Sequence, residues 1–311
     1  MYDVLRYHLG WTDQQGMPAE NPRPLHFPTL LALVSCEALT GDFHTALPAA
    51  AGVDLVYNFT LVHGDVQSGR PEAQDRPSIW WLWGPAQAIN AGDGLHALGR
   101  TTIMRLAQRG VPPERVLQAV ASLDRACLTL CEGQYMDLEF QDRMMVTSAA
   151  YFDMIARKTG ALTGCSAESG ALAAGADEPV CARFRDMGRK MGMAWQVSRD
   201  IADLWGGEGD GMTASNVLNK KKSLPLMHAL ENSNVATKRE LGAIYMKRVL
   251  LPEDVSRLVD ILDQSNAMQF AEERTQELLG QALECLHGVE LLDEGHANLR
   301  RLAQRASEGS V

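Results

Sequence analysis

The chain has 311 residues, of which 46% are hydrophobic and 22% charged, enough apolar material to bury a large core and to enclose an internal cavity. Its formal net charge of −10 and pI near 5.3 argue against nucleic acid as a partner, because phosphate contacts need clustered Lys and Arg. No segment approaches about eighteen apolar residues free of charge, and the opening Met1-Tyr2-Asp3-Val4-Leu5-Arg6 lacks the basic-then-apolar layout of a signal peptide, so a cytoplasmic protein without a membrane span is expected. Six cysteines, Cys36, Cys127, Cys131, Cys165, Cys181 and Cys285, sit in apolar helical stretches, as small buried thiols do in a reducing compartment. Cys127 and Cys131 stand one helical turn apart with no second Cys or His pair nearby, which favours core packing over a metal site.

From Pro28 onward, apolar residues recur at three- and four-residue steps with almost no strand-like alternation. The stretch Ala86 to Arg109 is rich in Ala and Gly (Ala88, Ala91, Gly92, Gly94, Gly99), which suits tight helix packing or room for a ligand. Val116, Val120, Leu123, Cys127 and Leu130 mark another helix, and Thr147 is placed to cap a helix from Ser148 to Thr163. Near the C-terminus, Val255, Leu258, Val259 and Leu262 repeat the pattern after Pro252, with Asp254 and Ser256 in the first turn. Breaks are predicted at Gly69 to Pro77, Gly110 to Pro113, Gln141 to Val146, Ala174 to Pro179 and Gly206 to Gly211. The expectation is roughly ten to twelve helices in one all-α domain over 1–311, with no internal repeat or low-complexity linker to divide it.

Gln196, Asp200 and Asp203 stand at i, i+4 and i+7, so one helix face carries an amide and two carboxylates. By spacing alone this is a solvated stripe or a holder for a cation such as Mg²⁺. The run Lys220-Lys221-Lys222 before Ser223-Leu224-Pro225 reads as solvated charge or as a phosphate site. Lys158-Thr159 ends an amphipathic helix.

Taken in order, Gly133-Gln134 with Asp137 and Glu139, Lys158-Thr159-Gly160-Ala161-Leu162, Gln196 with Asp200 and Asp203, and Lys221 with Leu224-Pro225 resemble the trans-isoprenyl diphosphate synthases, the polyprenyl synthetase family. Asn58-Phe59-Thr60-Leu61-Val62-His63-Gly64-Asp65 and Ala91-Gly92-Asp93 extend the likeness over nearly the whole chain. The resemblance implies an all-α isoprenoid synthase-type bundle around a deep cavity, with two Asp-rich motifs binding Mg²⁺ that holds an allylic prenyl diphosphate. Ionisation then gives an allylic cation, which isopentenyl diphosphate attacks. It also implies catalytic roles for Asp65, Gln196, Asp200 and Asp203, diphosphate contacts from Lys158, Thr159, Arg199 and Lys221, and metal ligation by Asp200, Asp203 and Asp65. Phe59 and Gln134 are the implied cavity residues, Phe59 limiting the substrate to C10 to C20. A homodimer, or a heterodimer with a related synthase, is the implied assembly.

The chain departs from the family's pattern in four places. The first motif falls on Gly64-Asp65-Val66-Gln67-Ser68, where only the middle carboxylate remains, and Ala73-Gln74 replace paired arginines. Arg199 opens the second motif where the family has an aspartate; its planar guanidinium is suited to bind diphosphate oxygens directly. The signature that holds isopentenyl diphosphate falls on Arg23-Pro24-Leu25-His26-Phe27-Pro28 without its Lys and Arg, a loss of about two to four powers of ten in affinity. These departures favour an enzyme that ionises an allylic diphosphate and resolves the cation by cyclisation or elimination, as terpene synthases do, with Trp80, Trp81, Trp83, Trp195 and Trp205 as candidate cation-stabilising rings. A catalytically silent partner subunit and a prenyl-elongating transferase are the alternatives.

Overall fold

The computed structural model describes residues 1–19, 24–73, 76–143, 145–206 and 215–309. Arg23, Gln74, Asp75 and the glycine run beyond Gly206 lie outside the described residues. The fold is all-α: among the described residues there are fifteen α-helices, two short 3₁₀ turns and an antiparallel pair of two-residue strands, Glu72–Ala73 and Arg76–Pro77. The helix count exceeds the sequence expectation because several short helices interrupt the connections and because Thr159 splits one expected helix in two. Ser148–Lys158 ends there and Gly160–Ala173 begins, where the Thr159 hydroxyl turns to Gln196 and Gly160 packs on Arg189. Other boundaries fall at the breaks read from the sequence: helices end at Ser68, Asp142, Ala173 and Trp205, and Pro113, Ser148 and Glu178 open the ones that follow. Gly69 and Gly110 close their helical segments with φ of 63° and 82°, a left-handed conformation that only glycine adopts without strain. Thr147 caps its helix by accepting the Ala150 N–H at 3.2 Å.

The described residues gather into two compact units. The first comprises Met1–Asp124, Ser166–Cys181 and Glu290–His296. Its centre is the pair of helices Leu47–Ser68 and Pro85–Ile103, and the Ala- and Gly-rich composition of the second serves close packing. A Cβ on Gly99 would stand 2.7 Å from the Val56 side chain and 2.8 Å from the Gly52 carbonyl oxygen, and one on Gly92 would meet the His63 ring at 2.2 Å. The stretch His44–Ser68 has the length and mean hydropathy, 1.2, to cross a membrane, which the charge-free criterion applied to the sequence passed over. Half of that apolar window is buried, and Asp54, Asn58 and Asp65 lie within the helix. Leu5, Val62, Ile79, Ala88, Ala91 and Leu95 form a core cluster here, with Phe59 and Trp80 packed against it.

The second unit comprises Arg125–Cys165, Ala182–Val289 and Ala297–Val311. Its core is built around Tyr151, Ile155, Leu224, Met227, Leu258 and Leu262, all essentially inaccessible to solvent. Pro252 at the first turn of Pro252–Gln264 sets the helical φ, and Asp254 accepts the Leu251 N–H at 3.0 Å while pairing with Lys247. The cysteines divide: Cys36, Cys127, Cys165 and Cys181 are buried as expected, whereas Cys131 is exposed and Cys285 half-buried.

Because neither neighbour of Gly99 is the far end of a flexible side chain, Gly99→Ala forces the two helices apart. An overpacking cost of about 1–3 kcal/mol is expected to lower the thermal unfolding midpoint by several degrees. A midpoint unchanged in calorimetry would mean that the helix pair yields without loss.

Candidate functional site

A cavity of about 440 Å³, counting its open mouth, lies within the second unit. The helix Glu178–Trp205 supplies Gln196, Asp200 and Asp203, brought together by their i, i+4, i+7 spacing, and Ser148–Lys158 supplies Tyr151, Met154, Ile155 and Lys158 on one face. Asp137 comes from Pro113–Asp142, and Asn216, Lys221, Lys222 and Ser223 come from the segment leading into Leu224–Asn232. The stripe and the lysine run that the sequence left open between solvated charge and a site therefore converge on one pocket.

Asp137 is the electrostatic centre. It is 3% exposed, and its Oδ2 accepts from the Lys158 Nζ at 2.6 Å with the Lys221 Nζ at 3.6 Å. Burial by itself would push the Asp137 carboxyl up, but the two ammonium groups together hold it below the usual carboxylate value. Gly133, one turn earlier, makes the approach possible: a Cβ there would fall 2.3 Å from the Lys158 backbone nitrogen.

A chain of hydrogen bonds ties the helix Ser148–Lys158 to Glu178–Trp205. The Tyr151 hydroxyl donates to Asp200 Oδ2 at 2.7 Å, the Gln196 amide donates to Asp200 Oδ1 at 3.0 Å, and the Thr159 hydroxyl donates to Gln196 Oε1 at 2.8 Å. Burial pushes the Asp200 carboxyl up against the pull of Tyr151 and Gln196. Burial, then Asp200, drives the Tyr151 phenol well above its ordinary value, so Tyr151 is a permanent donor. Asp203 receives the Asn216 backbone N–H at 3.2 and 3.4 Å. Lys222 is 4% exposed, with its Nζ 4.4 Å from the Tyr245 ring centroid. Burial, with Lys220 adding to it and Asp142 opposing, brings its ammonium down to about 8.

Other residues singled out from the sequence stand elsewhere. Arg199 sets its guanidinium over the Trp195 ring at 5.1 Å and is not among the cavity-lining residues. Gln134 is half-buried on Pro113–Asp142, also outside the lining. Asp65, 8% exposed, and Phe59, whose ring meets His63 and His96 edge-on, belong to the first unit. None of the tryptophans lines the cavity: Trp81 is 61% exposed, Trp80 donates to the Arg70 carbonyl and Trp205 to Asp263. Tyr151 was missed by the sequence reading, and Lys222 was singled out only as part of the lysine run. Their signal was spacing: Tyr151 lies seven residues before Lys158 on the same face, and Lys222 adjoins Lys221.

Among the described residues the donor set does not fit the Mg²⁺ ions that the resemblance implies. The cavity's three carboxylates are each engaged by protein donors, and among the described residues no group of three or more His, Cys, Asp or Glu is arranged to hold a metal. At the first motif the Ser68 hydroxyl donates to the Gly64 carbonyl at 2.6 Å, so its outer positions offer no carboxylate and are bonded to each other.

Comparison with known proteins gives a consistent picture. The family model described as polyprenyl synthetase matches residues 26–262. A geranylgeranyl diphosphate synthase of Mycobacterium tuberculosis is 33% identical, covering 92% of this chain and 82% of that protein. A (2E,6E)-farnesyl diphosphate synthase of Mycobacterium bovis is 30% identical, covering 97% and 84%. Among solved structures, a polyprenyl synthetase from Streptomyces coelicolor A3(2) superposes with a TM-score of 0.88 at 29% identity over 98% of this chain and 91% of that one. A geranylgeranyl pyrophosphate synthetase from Pyrococcus horikoshii gives 0.82 at 30% identity over 90% and 85%.

The buried Lys222 holds its proton less tightly in the fold than in the unfolded chain, where the ordinary lysine value is 10.5. Its penalty to stability is therefore full below about pH 8 and gone above pH 10.5. In denaturant titrations Lys222→Met is expected to be more stable than the parent at pH 7, with the gap closing between pH 8 and 10.5. A constant gap across that range would show that Lys222 does not titrate there.

Proposed function

The chain belongs to the polyprenyl synthetase family, and from that premise we propose that it is a prenyltransferase that binds an allylic prenyl diphosphate of C10 to C20 and joins its prenyl group to isopentenyl diphosphate. The observation that carries this reading is the convergence of Lys158 and Lys221, from separate elements, on Asp137 in one cavity that Gln196, hydrogen-bonded to Thr159, also lines. Relatives named as geranylgeranyl and farnesyl diphosphate synthases support transfer over cyclisation.

On this reading the ammonium groups of Lys158 and Lys221 bind the diphosphate and stabilise the charge that builds on it as its bond to the allylic carbon breaks. The double bond of the acceptor then attacks the allylic carbon, a carbon–carbon bond forms, and a proton leaves the acceptor. Gln196, whose carbonyl oxygen accepts from Thr159 and whose amide donates to Asp200, holds an oriented dipole beside the reacting carbon. Tyr151 keeps Asp200 in place through the hydrogen bond at 2.7 Å.

One observation favours a second reading, ionisation with cyclisation or elimination and no external acceptor. Where the family signature places the arginine that holds isopentenyl diphosphate, Phe27 is fully buried, and the neighbouring His26 is committed to Asp54 at 2.8 Å.

The two readings separate in one assay, in which purified protein is incubated with geranyl, farnesyl or geranylgeranyl diphosphate, with and without isopentenyl diphosphate. Transfer is expected to give a chain-lengthened diphosphate only when the acceptor is present. Pyrophosphate release with a hydrocarbon or prenyl alcohol in its absence would establish the second reading. No product under any condition would overturn both and leave a silent subunit of a dimer with a related synthase.

A further inference from the structure

The cavity balances its charge with its own residues. Asp137, Asp200 and Asp203 line it together with Lys158, Lys221 and Lys222, and each carboxylate has a protein donor: the two ammonium groups on Asp137, Tyr151 and Gln196 on Asp200, and the Asn216 N–H on Asp203. The positive charge lining the cavity thus comes from the chain's own ammonium groups. We propose that this chain grips the diphosphate with a lysine clamp that Asp137 holds in position, and that the grip needs no divalent cation. The inference rests on the prenyl diphosphate reading above and names the means by which that site binds.

Three features carry it. Lys158 and Lys221 reach the site on separate elements, and two ammonium groups brought this close repel each other unless an anion lies between them. Asp137 is that anion, and it cannot follow either lysine toward water: it is 3% exposed on a helix fixed against the Lys158 backbone at Gly133. Each lysine side chain keeps about a fifth of its surface open, 22% in both cases. An ammonium has three donors, so for Lys158 contact with Asp137 leaves capacity for the oxygens of a ligand. Asp137 itself is a positioning residue: it touches the lysines, and the lysines touch the diphosphate. Lys222 stands as a third cation on the same wall.

The clamp is tested by titrating the full chain with inorganic pyrophosphate in a calorimeter, once in excess EDTA and once in Mg²⁺. Binding in EDTA is expected within about threefold of that in Mg²⁺. Lys158→Ala and Asp137→Asn are each expected to weaken it at least tenfold, and the double variant by clearly less than the product of the two losses, because Asp137 acts in part through Lys158 and otherwise through Lys221. Additive losses would reduce Asp137 to a general structural role and overturn its part. Binding that appears only with Mg²⁺, or an Asp137→Asn variant that binds as tightly as the parent or more so, overturns the clamp. Should Asp137→Asn fail to fold, Lys158→Ala against Lys158→Arg in EDTA decides, with binding expected to survive only in the second. Failure of the transfer reading looks different: pyrophosphate bound in EDTA with no elongated product leaves the clamp standing, whereas elongation by a protein that binds pyrophosphate only with Mg²⁺ removes the clamp and keeps the transferase.

Discussion

A carboxylate out of reach of water is tolerable in a protein only if something neutralises it, and Asp137 is such a group. Two ammonium groups converge on one of its oxygens, and the demand of that buried charge dictates much around it. The helix Pro113–Asp142 must run against the end of Ser148–Lys158, which requires glycine at 133. The segment before Leu224–Asn232 must return to the same point to deliver Lys221. A cavity wall with concentrated positive character follows from satisfying a single anion.

The helix Glu178–Trp205 obeys a different constraint, the angular step of the α-helix. Gln196, Asp200 and Asp203 share a face, while Arg199, one residue from Asp200, is turned by about 100° and rests on Trp195, the residue one turn before it. Arg199 is not among the cavity-lining residues, and its guanidinium lies over a ring face on the adjacent stripe, while Asp200 and Asp203 receive Tyr151, Gln196 and the Asn216 N–H.

Much of this was legible beforehand. The three- and four-residue steps gave an all-helical fold, glycine and proline gave most breaks, and spacing alone put Gln196, Asp200 and Asp203 on one face. What periodicity could not convey was pairing between elements. Lys158 is 21 residues from Asp137, and nothing local marks one as the other's counter-ion. Nor does a hydroxyl seven residues before Lys158 declare that it will meet Asp200. The split at Thr159 was hidden for the same reason: its hydroxyl is engaged by Gln196 on a distant helix. His26 and Phe27 show the converse, for their replacement of expected cations was visible in sequence, but that one would pair with Asp54 and the other vanish into the core was not.

The two halves of the Asp137 pairing differ in the length of chain each must close. Lys221 lies about four times as far from Asp137 along the chain as Lys158 does, which adds about 1 kcal/mol of loop-closure entropy. Contacts between nearby segments form sooner than those between distant ones. The Lys158 contact joins two helices separated only by a short turn, whereas the Lys221 contact waits for the long helix Glu178–Trp205 to be in place. Chain closure therefore costs less for the Lys158 partner than for the Lys221 partner, and the wall has its full complement of charge only once the later part of the chain is in place.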